Sequence, residues 1–193
     1  MEMFYSLQGE GTHTGESAFF IRIGGCDVGC HWCDEKESWN PELHPLLTIN
    51  DIINTIPAIS SKSIVITGGE PLQFNLTSLC DALHSQGFML FLETSGFMPL
   101  SGKWEWICLS PKQNAPPLQD IYQIANELKI IIANEDDFAW AEYNANKVNM
   151  SCRLFLQPEW SNQKKIIPLL VKYILQNSKW NLSLQMHKYI GIP

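Results

Sequence analysis

An α/β architecture, in the form of a partial, open (β/α) barrel with mostly parallel strands, is what this 193-residue sequence predicts, on three observations. Short β-branched runs alternate with stretches of helical period, which makes successive strands parallel and places helices between them. Glycine and polar residues gather just after the strands, the ends at which α/β barrels build their active sites. The length falls short of the roughly 250 residues of a complete barrel. No repeat, low-complexity segment or linker divides the chain, so residues 1–193 are expected to form a single domain.

Taken in order, strands are expected at Ser17–Ile23, Ser63–Thr67, Phe88–Glu93, Trp104–Leu109, Lys129–Ile132, Arg153–Gln157 and Asn181–Gln185. The first helix begins near Thr48, where Thr48 and Asp51 have capping-box spacing, and stops before Pro57. A second covers about Asn75–Gln86 and is ended by Gly87. Two more cover about Asp136–Asn146 and Ser161–Asn177, the latter with Pro168 as a candidate kink. Polar clusters follow the strands at Thr67-Gly68-Gly69-Glu70, Glu93-Thr94-Ser95-Gly96, Ser110-Pro111-Lys112, Gln157-Pro158-Glu159 and Gln185-Met186-His187-Lys188.

Composition narrows the function classes. A net charge of -7 without a broad basic face makes nucleic acid a poor partner, while one Arg or Lys in a pocket suffices for a small anion. No apolar run reaches the roughly 20 residues needed to span a bilayer, and the start lacks a signal-peptide stretch. A cytoplasmic protein with no membrane association is therefore expected. Six cysteines are too few for a disulfide scaffold. Cys80, Cys108 and Cys152 sit singly in apolar surroundings and read as core.

The other three are clustered. Cys26-Asp27-Val28-Gly29-Cys30-His31-Trp32-Cys33 follows a strand and has C-x3-C-x2-C spacing, so three thiolates can converge on one metal centre. Structural zinc wants a fourth Cys or His, and His31 is awkwardly placed beside Cys30. A cubic iron–sulfur cluster with three thiolates keeps one iron open, whereas ferredoxin clusters use four.

With an aromatic residue before the last cysteine, the motif resembles that of the radical S-adenosylmethionine (SAM) superfamily. Thr67-Gly68-Gly69-Glu70-Pro71 is similar to the superfamily's Gly-Gly-Glu-Pro segment. Further matches narrow the resemblance to the 7-carboxy-7-deazaguanine synthase family. They are the opening Phe4-Tyr5-Ser6-Leu7-Gln8-Gly9-Glu10-Gly11, then Gly15, Phe20-Ile21-Arg22, Glu93-Thr94-Ser95-Gly96, Ser110-Pro111-Lys112, Glu127-Leu128-Lys129, Gln157-Pro158 and the closing His187-Lys188-Tyr189-Ile190-Gly191-Ile192-Pro193. These segments span essentially the whole chain in the family's order.

The resemblance implies radical-mediated contraction of 6-carboxy-5,6,7,8-tetrahydropterin to 7-carboxy-7-deazaguanine with release of ammonia, on the route to queuosine-type bases. It implies a 4Fe-4S cluster on Cys26, Cys30 and Cys33, SAM, magnesium, an electron donor such as a flavodoxin, and a homodimer. By resemblance, Leu7, Gln8, Gly9, Arg22, Thr67, His187 and the terminal carboxylate of Pro193 serve the pterin. Gly69, Glu70, Ser110, Pro111, Lys112 and Gln157 serve SAM, with Glu70 taking the methionine amino group. A forked guanidinium at Arg22 suits the substrate carboxylate.

Plainer readings stand beside these. The alternatives are a surface charge for Arg22, a solvated loop lysine for Lys112, a hydrogen-bonded strand end for Gln157 and a satisfied core histidine for His187. One position departs from the family: Glu35 stands where a magnesium-binding Thr is usual, and its carboxylate is also a suitable hard-oxygen ligand. Competing functions are a glycyl-radical-enzyme activase, which shares the cysteine spacing, and a non-enzymatic iron–sulfur or zinc redox sensor.

Overall fold

Residues 2–193 are described by the structure, a computed structural model. Eight strands form one sheet in sequence order: β1 (Glu2–Leu7), β2 (Ser17–Ile23), β3 (Ser63–Gly68), β4 (Met89–Thr94), β5 (Trp106–Leu109), β6 (Glu127–Ile132), β7 (Arg153–Pro158) and β8 (Trp180–Leu182). β1 pairs antiparallel with β2, from Glu2↔Arg22 to Leu7↔Ser17, and every later pair is parallel. β1 and β8 lie at opposite edges, so the barrel is open.

The helices are α1 (Ile49–Thr55), α2 (Thr77–Ser85), α3 (Gln119–Ile124), α4 (Asp137–Ala145), α5 (Gln163–Gln176) and α6 (Met186–Ile190). Strand residues of one parity, among them Ile21, Ile64, Ile66, Leu90, Leu92, Leu128, Ile130 and Leu156, pack beneath helix residues spaced one turn apart, such as Leu79 with Leu83 and Ile166 with Leu170. Burial of each such aliphatic side chain contributes about 1.5–3 kcal/mol. The opposite parity faces inward: Arg22 on β2, Thr67 on β3, Glu93 on β4, Lys129 on β6 and Gln157 on β7. A parallel strand buried on both faces would read as one apolar run. The alternation here leaves the inward face polar toward the strand ends, where it carries the site, while Ala18, Phe20 and Val65 form a small apolar cluster on the same face. No helix among the described residues is long and apolar enough to cross a membrane.

The expected capping box forms, with Asp51 N–H donating to Thr48 Oγ1 (3.2 Å) and Thr48 N–H to Asp51 Oδ2 (2.9 Å). Gly87 follows the end of α2 with φ of 80°. α5 continues past Pro168, held through Ile166 and Leu170. Three elements are additional. β1 has no buried stripe to announce it, α3 is six residues long after Pro116-Pro117, and α6 is five residues long. The last strand also differs from expectation. β8 ends at Leu182 instead of running over Asn181–Gln185, and the chain turns so that Gln185 points at Glu10 and Asp34.

Candidate active site

Two cavities adjoin inside the open barrel. The first, about 210 Å3, is lined by Cys26, Cys30 and Cys33 together with Gly69, Ser110, Lys112 and Gln157. The second, about 190 Å3, is lined by Leu7, Gln8, Gly9, Arg22, Thr67, His187 and Pro193. Apart from Glu70 and Pro111, the residues expected for cluster and SAM thus collect in one cavity, and those expected for substrate line the other. Thr67 lines both, as do Glu10, Glu93, Lys129 and Gln185.

Backbone contacts shape the cysteine loop. Gly69 N–H donates to Ile23 O (2.9 Å) and Glu70 N–H to Gly25 O (2.8 Å), stitching the turn after β3 to the segment entering the loop. A Cβ on Gly69 would collide with the Gly25 carbonyl, which explains glycine there. The far end is held by Cys26 N–H donating to Trp39 O (3.2 Å). Cys33 Sγ accepts from Trp39 Nε1 (3.3 Å) and Glu35 N–H (3.4 Å), donors suited to a thiolate on a cluster. Burial pushes the Cys26 and Cys30 thiols up, and iron binding would remove their protons. Among the described residues, no three His, Cys, Asp or Glu side chains are grouped to hold a metal ion by themselves. A four-iron cube takes one thiolate at each of three corners, so three cysteines lining one cavity fit it. Lys112 donates to Ser110 Oγ (2.7 Å) and lies over the Trp32 ring (5.5 Å), not in a solvated loop.

Glu70 and Pro111 lie outside both linings. The Glu70 carboxylate is buried and already satisfied by Thr94 Oγ1 (2.6 Å), Ser95 N–H (2.8 Å), Ser95 Oγ and Leu72 N–H (3.1 Å). It ties the β3 turn to the end of β4, and the backbone of Gly68 and Gly69 faces the cavity in its place.

In the second cavity Gly9 is buried against His187, whose ring would collide with any Cβ at that position. Burial holds the His187 pKa below its ordinary value, favouring the neutral ring. Ser6 Oγ donates to Pro193 O (2.9 Å), placing the tail beside β1. Arg22 pairs through Nη1 with Glu35, and its Nε lies 3.1 Å from a Glu2 carboxylate oxygen. The family-departing Glu35 therefore meets the guanidinium expected to bind substrate.

Reasoning from sequence assigned no role to Glu10, Glu93 or Lys129, which form an ion-paired group between the cavities. The signal was the alternation Glu127-Leu128-Lys129-Ile130, which turns two charged side chains to one face of a strand.

Residues 20–131 match the model of the Radical SAM superfamily. A 7-carboxy-7-deazaguanine synthase of Flavobacterium psychrophilum is 53% identical over all of this chain and 91% of its own length. One of Synechocystis sp. is 49% identical over 99% of this chain and 91% of its own. The crystal structure of QueE from Escherichia coli superposes with a TM-score of 0.83 at 31% identity, covering 96% of this chain and 92% of that one. With two adjoining cavities and a three-cysteine loop inside an open barrel, the chain belongs to the 7-carboxy-7-deazaguanine synthase family of the Radical SAM superfamily.

Proposed function

We propose that this chain contracts the ring of 6-carboxy-5,6,7,8-tetrahydropterin to 7-carboxy-7-deazaguanine with release of ammonia, in queuosine-type 7-deazapurine biosynthesis, and that it acts as a carbon–nitrogen lyase. The observation that carries the reading is the division of its residues into two cavities that share Thr67, Glu10, Glu93 and Lys129. When bound, a 4Fe-4S cluster with SAM supplies the radical chemistry that starts the rearrangement. Cys26, Cys30 and Cys33 would hold the cluster, while Gly69, Ser110, Lys112 and Gln157 would line the SAM side. Gln157, 3% exposed and accepting from Ser183 Oγ (2.7 Å), is fixed in orientation. Gln8, Gly9, Thr67 and His187 would shape the pterin side, with Pro193 closing it. Residues 1–193 work as one domain in this reading, supported by the single continuous sheet. On the family resemblance we add a flavodoxin-type electron donor, a homodimer and a cytoplasmic setting.

Anaerobic turnover of the reconstituted, reduced protein with SAM and 6-carboxytetrahydropterin tests the assignment. A product of substrate mass less one ammonia is expected. SAM cleavage with no pterin-dependent product overturns it.

Arg22 is expected to bind the substrate carboxylate through Nη2, the guanidinium nitrogen engaged by neither Glu2 nor Glu35. Loss of a charge-assisted hydrogen bond costs about 1.5–3 kcal/mol. Arg22→Ala should therefore weaken pterin binding roughly ten- to hundredfold, with cluster content and uncoupled SAM cleavage unchanged. Unaltered affinity by titration would return Arg22 to a purely structural role.

Magnesium belongs to the proposal through Glu35. An ion there would share the carboxylate with Arg22 or take it over. Glu35→Gln should then raise the magnesium needed for half-maximal turnover, and Glu35→Thr should retain activity. A wild type indifferent to magnesium after thorough chelation removes the ion from the reading.

A further inference from the structure

Glu10, Lys129 and Glu93 stand where the cavities meet, and the binding roles above leave them unused. Lys129, 5% exposed on β6, donates from Nζ to Glu10 Oε2 (2.6 Å) and Glu93 Oε2 (2.9 Å). The remaining carboxylate oxygens are reached from the two sides of the site: Gln185 donates to Glu10 Oε1 (2.9 Å) and Gln8 to Glu93 Oε1 (3.4 Å). Glu127, 2% exposed on the same strand, adds a third carboxylate, accepting from Thr12 N–H (2.9 Å) and from Cys108 on β5 (3.5 Å). Three carboxylates around one ammonium are short of positive charge, which favours retaining a proton among them.

The reaction needs such a proton. Substrate and product differ by one ammonia, so ring contraction without elimination gives an isomer of the substrate whose extruded ring nitrogen is an amine. For ammonia to leave, that nitrogen must gain a proton, and the new ring must lose a C–H proton to become aromatic. We propose that Glu93, as a carboxylic acid, protonates the departing amine, that Glu10, as a carboxylate, takes the ring proton, and that Lys129 holds both and resets them. The C–N bond breaks with its electron pair going to nitrogen, and the C–H pair forms the ring double bond. Nothing is oxidised or reduced. Lys129 then gives a proton to Glu93 and takes one from Glu10, restoring the starting state.

The environments set the two carboxyl groups apart in the required sense. Burial raises the Glu93 pKa, Glu127 and Glu10 add to this, and Lys129 opposes it. Burial also disfavours charge on Glu10, but the Lys129 ammonium and the hydrogen bonds from Lys129 and Gln185 outweigh it and hold that pKa below the ordinary value. Carboxyl groups pushed apart in this way mark an acid and a base. The groups facing Glu93 are Lys129 and Glu127 from β6, Cys108 from β5 and Glu10 from the loop after β1.

This inference rests on the proposed function, and one experiment separates them. Reduced, reconstituted enzyme is mixed with SAM and C6-deuterated 6-carboxytetrahydropterin, and both deuterium transfer to the SAM-derived product and ammonia release are followed in a single turnover. Glu93→Gln keeps the shape but not the acid. It should transfer deuterium within a few-fold of wild type, release ammonia about a hundredfold more slowly or worse, and accumulate a species of substrate mass. Equal loss of both signals, or undiminished ammonia release, overturns the inference alone. A wild type that releases no ammonia overturns this inference and the proposed function together. Should Glu93→Gln fail to fold, the wild-type pH profile decides. Ammonia release should slow as pH rises through the Glu93 pKa while deuterium transfer stays level, and a flat profile overturns the inference.

Discussion

Alanine at any one of Cys26, Cys30 or Cys33 will abolish the visible iron–sulfur absorption of the anaerobically reconstituted protein and its reductive SAM cleavage. All three line the 210 Å3 cavity, and each is partly accessible. Two thiolates cannot hold a cube that already leaves one iron without a protein ligand. The same change at Cys80, Cys108 or Cys152 should leave both signals intact. Cys80 and Cys152 are buried away from the cavity, and Cys108, expected in apolar core, is instead buried against Glu93 and Glu127 without lining either cavity. Burial pushes the Cys80 pKa up to about 11, the Cys152 pKa to about 12 and the Cys108 pKa well above its ordinary value. Inert, protonated core thiols of this kind are not metal ligands. Iron and sulfide analysis beside the absorption spectrum checks the assignment. Retention of the cluster in Cys30→Ala with its loss in Cys80→Ala would reverse it.

What the chain declares locally, it declares well. Thr48 and Asp51 form both bonds of their box because the box needs only four consecutive residues. The outward strand faces are apolar wherever a helix covers them, so periodicity finds them. The inward face is harder. A Lys or Glu within a strand reads as exposed, and its partner becomes visible only once the topology is known: Glu10 and Lys129 are 119 residues apart, Glu93 and Lys129 36. The same holds for Glu35. As a departure from the family motif it suggested a metal ligand, whereas β2 brings Arg22 to it. Glu70 was legible as part of a turn after β3, but its carboxylate is consumed at the end of β4 by residues more than twenty positions away.

Lys129→Met should be the most destabilising single change in the site. The substitution keeps an unbranched side chain of similar length and removes the ammonium that Glu10 and Glu93 share. Breaking a buried ion pair from one side costs about 3–5 kcal/mol, because the remaining charge stays buried without a partner. For a chain of this size that lowers the thermal midpoint by roughly 10 °C. The loss should depend on pH with a definite sign. In the wild type the Glu10 pKa lies below its unfolded value, so its stabilisation is present above an unfolded pKa of about 4.3 and fades as pH falls through the folded value. Without Lys129, burial, the largest influence on Glu10, is opposed only by the Gln185 hydrogen bond and the nearby His187, and it raises the folded pKa above the unfolded one. The variant's stability is then greatest at acid pH and falls as pH rises through that raised value. Thermal melts of the two proteins should converge as pH falls below the lowered folded pKa of Glu10 and separate toward neutrality. Adding Glu10→Gln and Glu93→Gln to the variant should recover part of the loss at neutral pH, since two of the three carboxylates around the lost ammonium are then neutral and Glu127 remains. A deficit that is the same at every pH and survives the triple change would assign the cost to packing around Lys129, not to its charge.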